Sequence, residues 1–244
     1  MDATGSVRWS GFSTLAATLI APEEAFAAIR ERPRWVWAIA VTIVLASLGS
    51  WLGTPALRHM IATTTMMQLQ SDPNIASLPP DRAAAQVQKL VNAAVAFANF
   101  TWLLSIVIVP ITVLIEAGIL FGVRSAVRST AGFPQLFSLV THVQFIALGI
   151  GSIVVGAVVA VHSPEVYRTQ SDFINSIPTA AWLAPNAPVK LATFLSMFTP
   201  FSIWATVILA LGLTAVAAFR RPAAWITSIA LLLASAIWTA AFAS

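Results

Sequence analysis

One acidic side chain in this sequence, Glu116, lies in the middle of an apolar segment. An ionisable side chain within a membrane-spanning segment is energetically costly and usually faces protein or water. Glu116 is therefore either the coupling site of a transporter or a carboxyl group that fixes helix packing through a hydrogen bond. We prefer the second interpretation, because the sequence has no other acidic residue of this kind.

The remaining candidates for chemistry are three scattered histidines, His59, His142 and His162. No two of them stand four residues apart, the spacing that places two metal ligands on one face of a helix. The chain has no cysteine, which excludes disulfides and thiolate-bound metal. It also has no phosphate-binding glycine loop and no nucleophile elbow. We therefore expect no catalytic residue, no cofactor and no metal site, and a protein that is not an enzyme.

The composition decides the class of protein: 58% of the residues are hydrophobic and 9% are charged. Soluble domains carry about 25% charged residues. The apolar runs are long and unbroken, whereas a membrane β-barrel shows alternating segments of about 10 residues. The sequence therefore predicts an all-α, polytopic membrane helical bundle with five transmembrane helices. The predicted spans are residues 35–53, 93–123, 136–162, 197–219 and 223–243.

A short loop joins spans 93–123 and 136–162, so these two helices must be antiparallel neighbours. Glu116 and His142 each lie eight residues from this loop, or about 12 Å along the helix axis. Because both side chains are poorly tolerated alone in lipid, we predict that Glu116 and His142 form an intramembrane polar pair.

Small residues indicate where helices pack closely. Span 93–123 ends with Gly118 and Gly122, a G-x-x-x-G pair, and span 136–162 contains Gly149 and Gly156. Such residues let helix backbones approach each other. We interpret the G-x-x-x-G pair as a packing surface within the bundle rather than as a dimerisation signal.

Residues 1–34 form an N-terminal segment ahead of the transmembrane domain, residues 35–244. Between residues 12 and 20, apolar side chains recur at helical spacing, and a second short helix follows them. We predict an amphipathic segment that lies in the membrane interface and contacts lipid headgroups. The headgroup contacts are predicted for Arg30, Arg32 and Arg34. The alternative is a cytosolic helix packed on its own bundle.

The basic residues predict the orientation, because cytoplasmic loops are rich in Lys and Arg. One side of the membrane carries Arg8, Arg30, Arg32, Arg34, Arg124, Arg128, Arg220 and Arg221. The other side carries Arg58, Arg82, Lys89, Arg168 and Lys190. We therefore expect a multi-pass protein of the cytoplasmic (inner) membrane with its N-terminus in the cytoplasm and its C-terminus outside. The long loops 55–92 and 163–196 then lie together outside and form a partner-facing surface.

Three stretches resemble the bacterial branch of the YIP1 family. Residues 21–26 and 30–35 supply a proline, an acidic pair, a phenylalanine and a basic approach to the first span. Residues 132–136, Gly-Phe-Pro-Gln-Leu, open a span after a short loop, and residues 201–213 precede a basic turn and a final helix. The sequence departs from the family at residues 141–144, Thr-His-Val-Gln, where relatives have an aromatic residue and a proline.

The resemblance implies a non-catalytic bundle of five spans with a cytoplasmic N-terminus. We expect an accessory or scaffold subunit of a larger membrane complex related to export or trafficking. Its expected partners are membrane lipids and other integral membrane proteins. Nucleic acid is not expected, because lipid headgroups explain arginines placed beside the spans. The competing function is a small transporter or proton-coupled permease that uses Glu116.

Overall fold

The computed structural model describes residues 11–175 and 187–243. This part of the chain is built from helices and contains no β-strand. The α-helices are α1 (Gly11–Ile20), α2 (Pro22–Glu31), α3 (Val36–Leu52), α4 (Thr54–Gln70), α5 (Pro73–Ala76), α6 (Pro80–Ala98), α7 (Ser105–Val123), α8 (Phe133–Gln144), α9 (Gly151–Ala160), α10 (Gln170–Asn175), α11 (Val189–Ser196), α12 (Pro200–Ala215) and α13 (Arg221–Ala241). A π-helical segment, Phe145–Ile150, joins α8 to α9.

The predicted polytopic helical bundle is confirmed. Three helical stretches of the described chain are long and apolar enough to cross a membrane: Thr101–Val123, Phe133–Ala160 and Arg221–Ala241. Two further pairs, α3 with α4 and α11 with α12, qualify if each counts as one bent span, with bends of 53° and 52°. The number of spans among the described residues is therefore three to five.

Prolines explain the two bends. Pro55 lies in the first turn of α4 and Pro200 in the first turn of α12. Proline suits the first turn of a helix but cannot continue the hydrogen-bond ladder of the preceding helix. The side chain of Thr199 also caps α12 by accepting a hydrogen bond from the backbone N–H of Ser202, at 3.1 Å. A new helix therefore begins at each of these positions in a new direction.

The predicted span 93–123 is two helices rather than one. α6 ends at Ala98, a 3-10 turn follows at Thr101–Leu104, and α7 begins at Ser105. The carbonyl of Ala96 accepts a hydrogen bond from the backbone N–H of Asn99, which ends the helix at that point. Pro110 lies inside α7 without ending it.

The other predicted spans agree with the helices to within a few residues, apart from 197–219. There, α12 covers Pro200–Ala215 and the chain then turns toward α13. The span predicted at 136–162 is helical from residue 133 to residue 160, with the π-helical segment in its middle.

α2 packs on the bundle, which is the alternative that the sequence left open for the N-terminal segment. Phe26 and Ile29 are fully buried, and Phe26 lies beside Gly212 of α12. α1 has a different outer surface, because Phe12 is 64% exposed and Ile20 is 85% exposed. α1 therefore keeps an outward apolar side of the kind that an interfacial helix needs. Arg8 lies outside the described residues.

Two glycines bring α3 and α9 together. A Cβ atom on Gly156 would overlap the backbone of Gly49, and one on Gly49 would overlap the backbone of Ser152. The G-x-x-x-G pair behaves differently, because nothing lies within 4 Å of a Cβ placed on Gly118 or Gly122. The interpretation of that pair as a packing surface within the bundle is therefore wrong: it faces outward from α7.

Candidate functional site

The intramembrane carboxyl group has a partner on the neighbouring helix. The side-chain amide of Gln144, the last residue of α8, donates a hydrogen bond of 2.5 Å to Oε2 of Glu116 on α7. Both side chains are half-buried. This bond joins the two helices at the level of the π-helical segment, which begins at the next residue.

The predicted pairing of Glu116 with His142 is wrong in this structure, because the partner of Glu116 is Gln144. His142 is fully buried, and its Nδ1 atom lies 2.7 Å from the carbonyl oxygen of Ser138 one turn earlier. Because a carbonyl oxygen only accepts, Nδ1 carries the donated proton. Residues 142 and 144 are separated by about 200° around a helix axis, so they do not face the same neighbour.

Two buried polar atoms on α8 have no hydrogen-bond partner among the described residues, Nε2 of His142 and Oγ of Ser138. Both residues are fully buried, one turn apart on the same face of the helix. An unpaired polar atom in a protein interior carries a desolvation cost of about 1–3 kcal/mol. This face of α8 is therefore polar without being part of the Glu116 site.

A cavity of about 370 Å³ lies where α3, α9 and the start of α12 meet. Its lining includes Gly49, Ser50, Ala147, Ser152, Gly156 and Phe201. None of the residues that line it is acidic, basic or histidine. The cavity can hold an apolar group, but its walls offer no acid, base or metal ligand.

Within the described ranges, no group of three His, Cys, Asp or Glu side chains is placed to hold a metal ion. His162 is exposed, and its Nδ1 atom lies 2.8 Å from the carbonyl oxygen of Val158. His59 lies on α4. The three histidines are thus not brought together.

The two long loops contact each other, as predicted. Tyr167 is 1% exposed and packs with Ala56 and Val159, and its ring centroid lies 5.9 Å from that of Phe173. The hydroxyl of Thr64 on α4 donates a hydrogen bond of 3.3 Å to the carbonyl oxygen of Arg168. Residues 176–186 of the second loop lie outside the described residues.

At the opposite end of the bundle, hydrogen bonds join three parts of the chain that carry arginines. The side chain of Gln135 donates to the carbonyl oxygen of Arg30, at 3.2 Å, and the hydroxyl of Ser129 donates to that of Ala217. Arg124 donates to the carbonyl oxygen of Ala131, at 2.7 Å. We call this end the arginine end. The predicted headgroup ligands Arg30, Arg32 and Arg34 lie there, and all three are exposed.

Sequence reasoning missed Gln144 as the partner of Glu116. A signal was present, since Gln144 is a polar residue in the same apolar run and only two positions beyond His142. Two residues correspond to about 3 Å along the helix, which is too little for depth alone to choose between them.

The fold defines a polytopic helical membrane protein, with a polar contact between two of its central helices. Comparison with protein families then gives its membership: the Yip1 domain matches residues 16–241. The chain belongs to the Yip1 family. No curated protein and no solved structure matches it.

Proposed function

We propose that this Yip1 family protein is a non-catalytic accessory or scaffold subunit of a larger membrane complex. The observation that carries the proposal is the helical hairpin formed by α4 and α6, which packs on the second long loop. These helices contain 17 and 19 residues, about 25 and 28 Å of helix. α6 buries only Val91 and Ala98.

The hairpin exposes large apolar side chains that its own fold does not cover. They include Met66, Met67, Leu78 and Leu90, which are 37–47% exposed. Clustered exposed apolar side chains mark interaction surfaces more often than isolated ones do. A protein partner that covers them gives this part of the chain a role that needs no catalytic group.

The basic residues support a cytoplasmic-membrane location with the N-terminus in the cytoplasm. In the described ranges, the arginine end holds Arg30, Arg32, Arg34, Arg124, Arg128, Arg220 and Arg221. The opposite end, which carries the α4–α6 hairpin and is called the hairpin end, holds Arg58, Arg82, Lys89, Arg168 and Lys190. The end with more Lys and Arg residues is expected to face the cytoplasm. The hairpin then faces outward, where it would meet the external parts of export or trafficking proteins.

Gentle affinity purification of the full chain from its own membranes tests this proposal. A variant with Met66→Ser and Leu90→Ser should lose membrane proteins that co-purify with the native chain. Val161→Ser is the matched control, because Val161 is an apolar residue that is 80% exposed near the same end but outside the hairpin. Equal recovery of the same proteins with all three chains would contradict a scaffold role for the hairpin.

A second candidate, a small transporter or proton-coupled permease, is favoured by one observation. Glu116 bonds to Gln144 at the start of a π-helical segment, and such segments are frequent at functional sites. Flux in proteoliposomes that disappears in Glu116→Gln, with the fold retained, would support a transporter. Absence of flux with the native chain over a panel of small ions and solutes would favour the scaffold.

A further inference from the structure

The arginine end of the bundle is a surface assembled from three separate parts of the chain. Arg30 lies in the last turn of α2, and Arg32 and Arg34 lie in the connection to α3. Arg128 comes from the α7–α8 loop, and Arg220 and Arg221 lie at the start of α13. All six side chains are exposed. Arg124 is different, because it donates to Ala131 and its guanidinium lies 3.7 Å from the centre of the Phe121 ring.

Hydrogen bonds connect the backbone segments that carry these arginines. Gln135 connects the end of α2 to the α7–α8 loop, because its amide donates to the carbonyl oxygen of Arg30 and its side-chain oxygen accepts from the backbone N–H of Gly132, at 2.6 Å. The hydroxyl of Ser129 connects the α7–α8 loop to the α12–α13 turn by donating to the carbonyl oxygen of Ala217. A surface with an ordered backbone loses less conformational entropy when it binds a ligand.

The charge of this end is strongly positive. It carries seven described arginines and three described acidic residues on α2, which are Glu23, Glu24 and Glu31. The first two of these begin α2, about 15 Å of helix from its end. At the hairpin end, five basic residues are nearly balanced by Asp72, Asp81, Glu165 and Asp172. The arginine end therefore offers a net positive surface that the hairpin end lacks.

The residues near the arginines indicate which kind of anion this positive surface would meet. Exposed tryptophans follow two of the arginine segments: Trp35 and Trp37 come after Arg34, and Trp225 comes four positions after Arg221. Trp35 packs edge-on against Phe137 of α8, with ring centroids 5.3 Å apart. Tryptophan is enriched where a protein crosses the headgroup level of a membrane. The positive surface thus borders lipid.

We propose that the arginine end binds anionic phospholipid headgroups through Arg30, Arg32, Arg34, Arg128, Arg220 and Arg221, with Arg124 positioning the α7–α8 loop. Guanidinium groups recognise phosphate oxygens through paired N–H donors. The aromatic residues beside them place the headgroups at the membrane surface. This inference does not depend on the scaffold role, because it concerns the opposite end of the bundle.

The test uses the purified full chain in detergent, with bound lipids counted by native mass spectrometry. Phosphatidylglycerol should be retained more strongly than phosphatidylcholine. The triple variant Arg128→Gln, Arg220→Gln and Arg221→Gln should bind phosphatidylglycerol about a hundredfold more weakly, since each basic residue contributes about fivefold. Thermal unfolding without added lipid should stay unchanged, because these side chains are exposed.

The matched control removes the same number of charges from the hairpin end, through Arg58→Gln, Lys89→Gln and Arg168→Gln. This control should keep the affinity of the native chain for phosphatidylglycerol. Equal weakening in both triple variants would overturn the proposal, because only net charge would then matter. Equal retention of the two lipids by the native chain would also overturn it. The proposal would also be overturned if a short single-stranded RNA bound as tightly as phosphatidylglycerol and lost binding in the first triple variant. The surface would then be a site for a soluble polyanion and not for lipid.

Discussion

Gly49 of α3 and Gly156 of α9 meet backbone to backbone, and neither position has room for a Cβ atom. This contact joins the first helix of the transmembrane domain to the helix that follows the π-helical segment. Small residues at such crossings let helices approach closely, which replaces the hydrophobic driving force that is absent between helices in lipid.

Gly156→Ala should therefore lower the stability of the bundle. The added methyl group would meet the carbonyl of Gly49, and overpacking of this kind costs about 1–3 kcal/mol. Gly118→Ala is the control, because nothing lies within 4 Å of a Cβ at that position. Thermal unfolding in detergent should show a lower midpoint for the first variant and an unchanged or slightly higher one for the second. Equal midpoints would contradict the close crossing.

The hydrogen bond between Glu116 and Gln144 should appear as a coupling energy in a double-mutant cycle. Interhelical hydrogen bonds in membrane proteins contribute about 0.6 kcal/mol on average and about 1.7 kcal/mol at most. We expect a coupling in this range between Glu116→Ala and Gln144→Ala, measured by thermal or denaturant unfolding in detergent. The control cycle pairs Glu116→Ala with His142→Ala and should be additive. A larger coupling in the control cycle would restore the pairing with His142.

Much of the fold could be predicted from the sequence, because apolar runs of about 20 residues have few structural solutions in lipid. The predicted spans 35–53 and 223–243 lie within two residues of α3 and α13. The break between α6 and α7 could not be predicted, because the apolar pattern runs through Asn99 without a proline or glycine to mark the end of a helix.

The candidate site was harder to predict than the fold. Depth along a helix follows from counting residues, but the direction of a side chain depends on rotation about the helix axis. Counting residues therefore predicts the level of Glu116 along the helix correctly but not the side chain that it contacts. The outward direction of Gly118 was missed for the same reason, since a G-x-x-x-G pattern shows where backbones can approach but not which neighbour approaches.

Phe26 should stabilise the contact of the N-terminal helices with the bundle. It is fully buried beside Leu139 and Gly212, so Phe26→Ala should cost about 3–5 kcal/mol. Phe12→Ala removes the same side chain from a position that is 64% exposed and should change stability little. Limited proteolysis of the detergent-purified chain should then release the segment before residue 35 faster in the first variant alone. Equal release from both variants would contradict the packing of α2 on the bundle.

Ala218 is a non-glycine residue with a left-handed backbone, at φ 53°, just beyond the end of α12. The backbone N–H of Phe219 donates to the carbonyl of Leu213 across this turn, at 3.1 Å. Such a conformation costs a residue with a Cβ about 1–2 kcal/mol, and glycine avoids this cost. Ala218→Gly should therefore raise the unfolding midpoint by an amount that corresponds to about 1 kcal/mol. Ala85→Gly, in the middle of α6 and exposed, should lower it by a similar amount; a loss of stability in both variants would exclude strain at Ala218.

The two long loops lie at one end of the bundle. Tyr167 and the bond from Thr64 to Arg168 place the loops that follow α3 and α9 at the same end of the bundle. The arginine end lies at the other end of the same helices, and the richer basic end of a membrane protein faces the cytoplasm. The hairpin end should therefore lie outside.

Single cysteines test this orientation directly, because the chain has no cysteine of its own. Ser71→Cys and Gln170→Cys are at exposed positions of the hairpin end, and each should react with a membrane-impermeant thiol reagent in intact cells. Ser125→Cys is the control at the arginine end, where the residue is also exposed, and it should react only after the membrane is permeabilised. The opposite pattern would reverse the orientation and place the arginine end outside. Reaction of only one of the two hairpin-end cysteines in intact cells would instead contradict the contact between the two long loops.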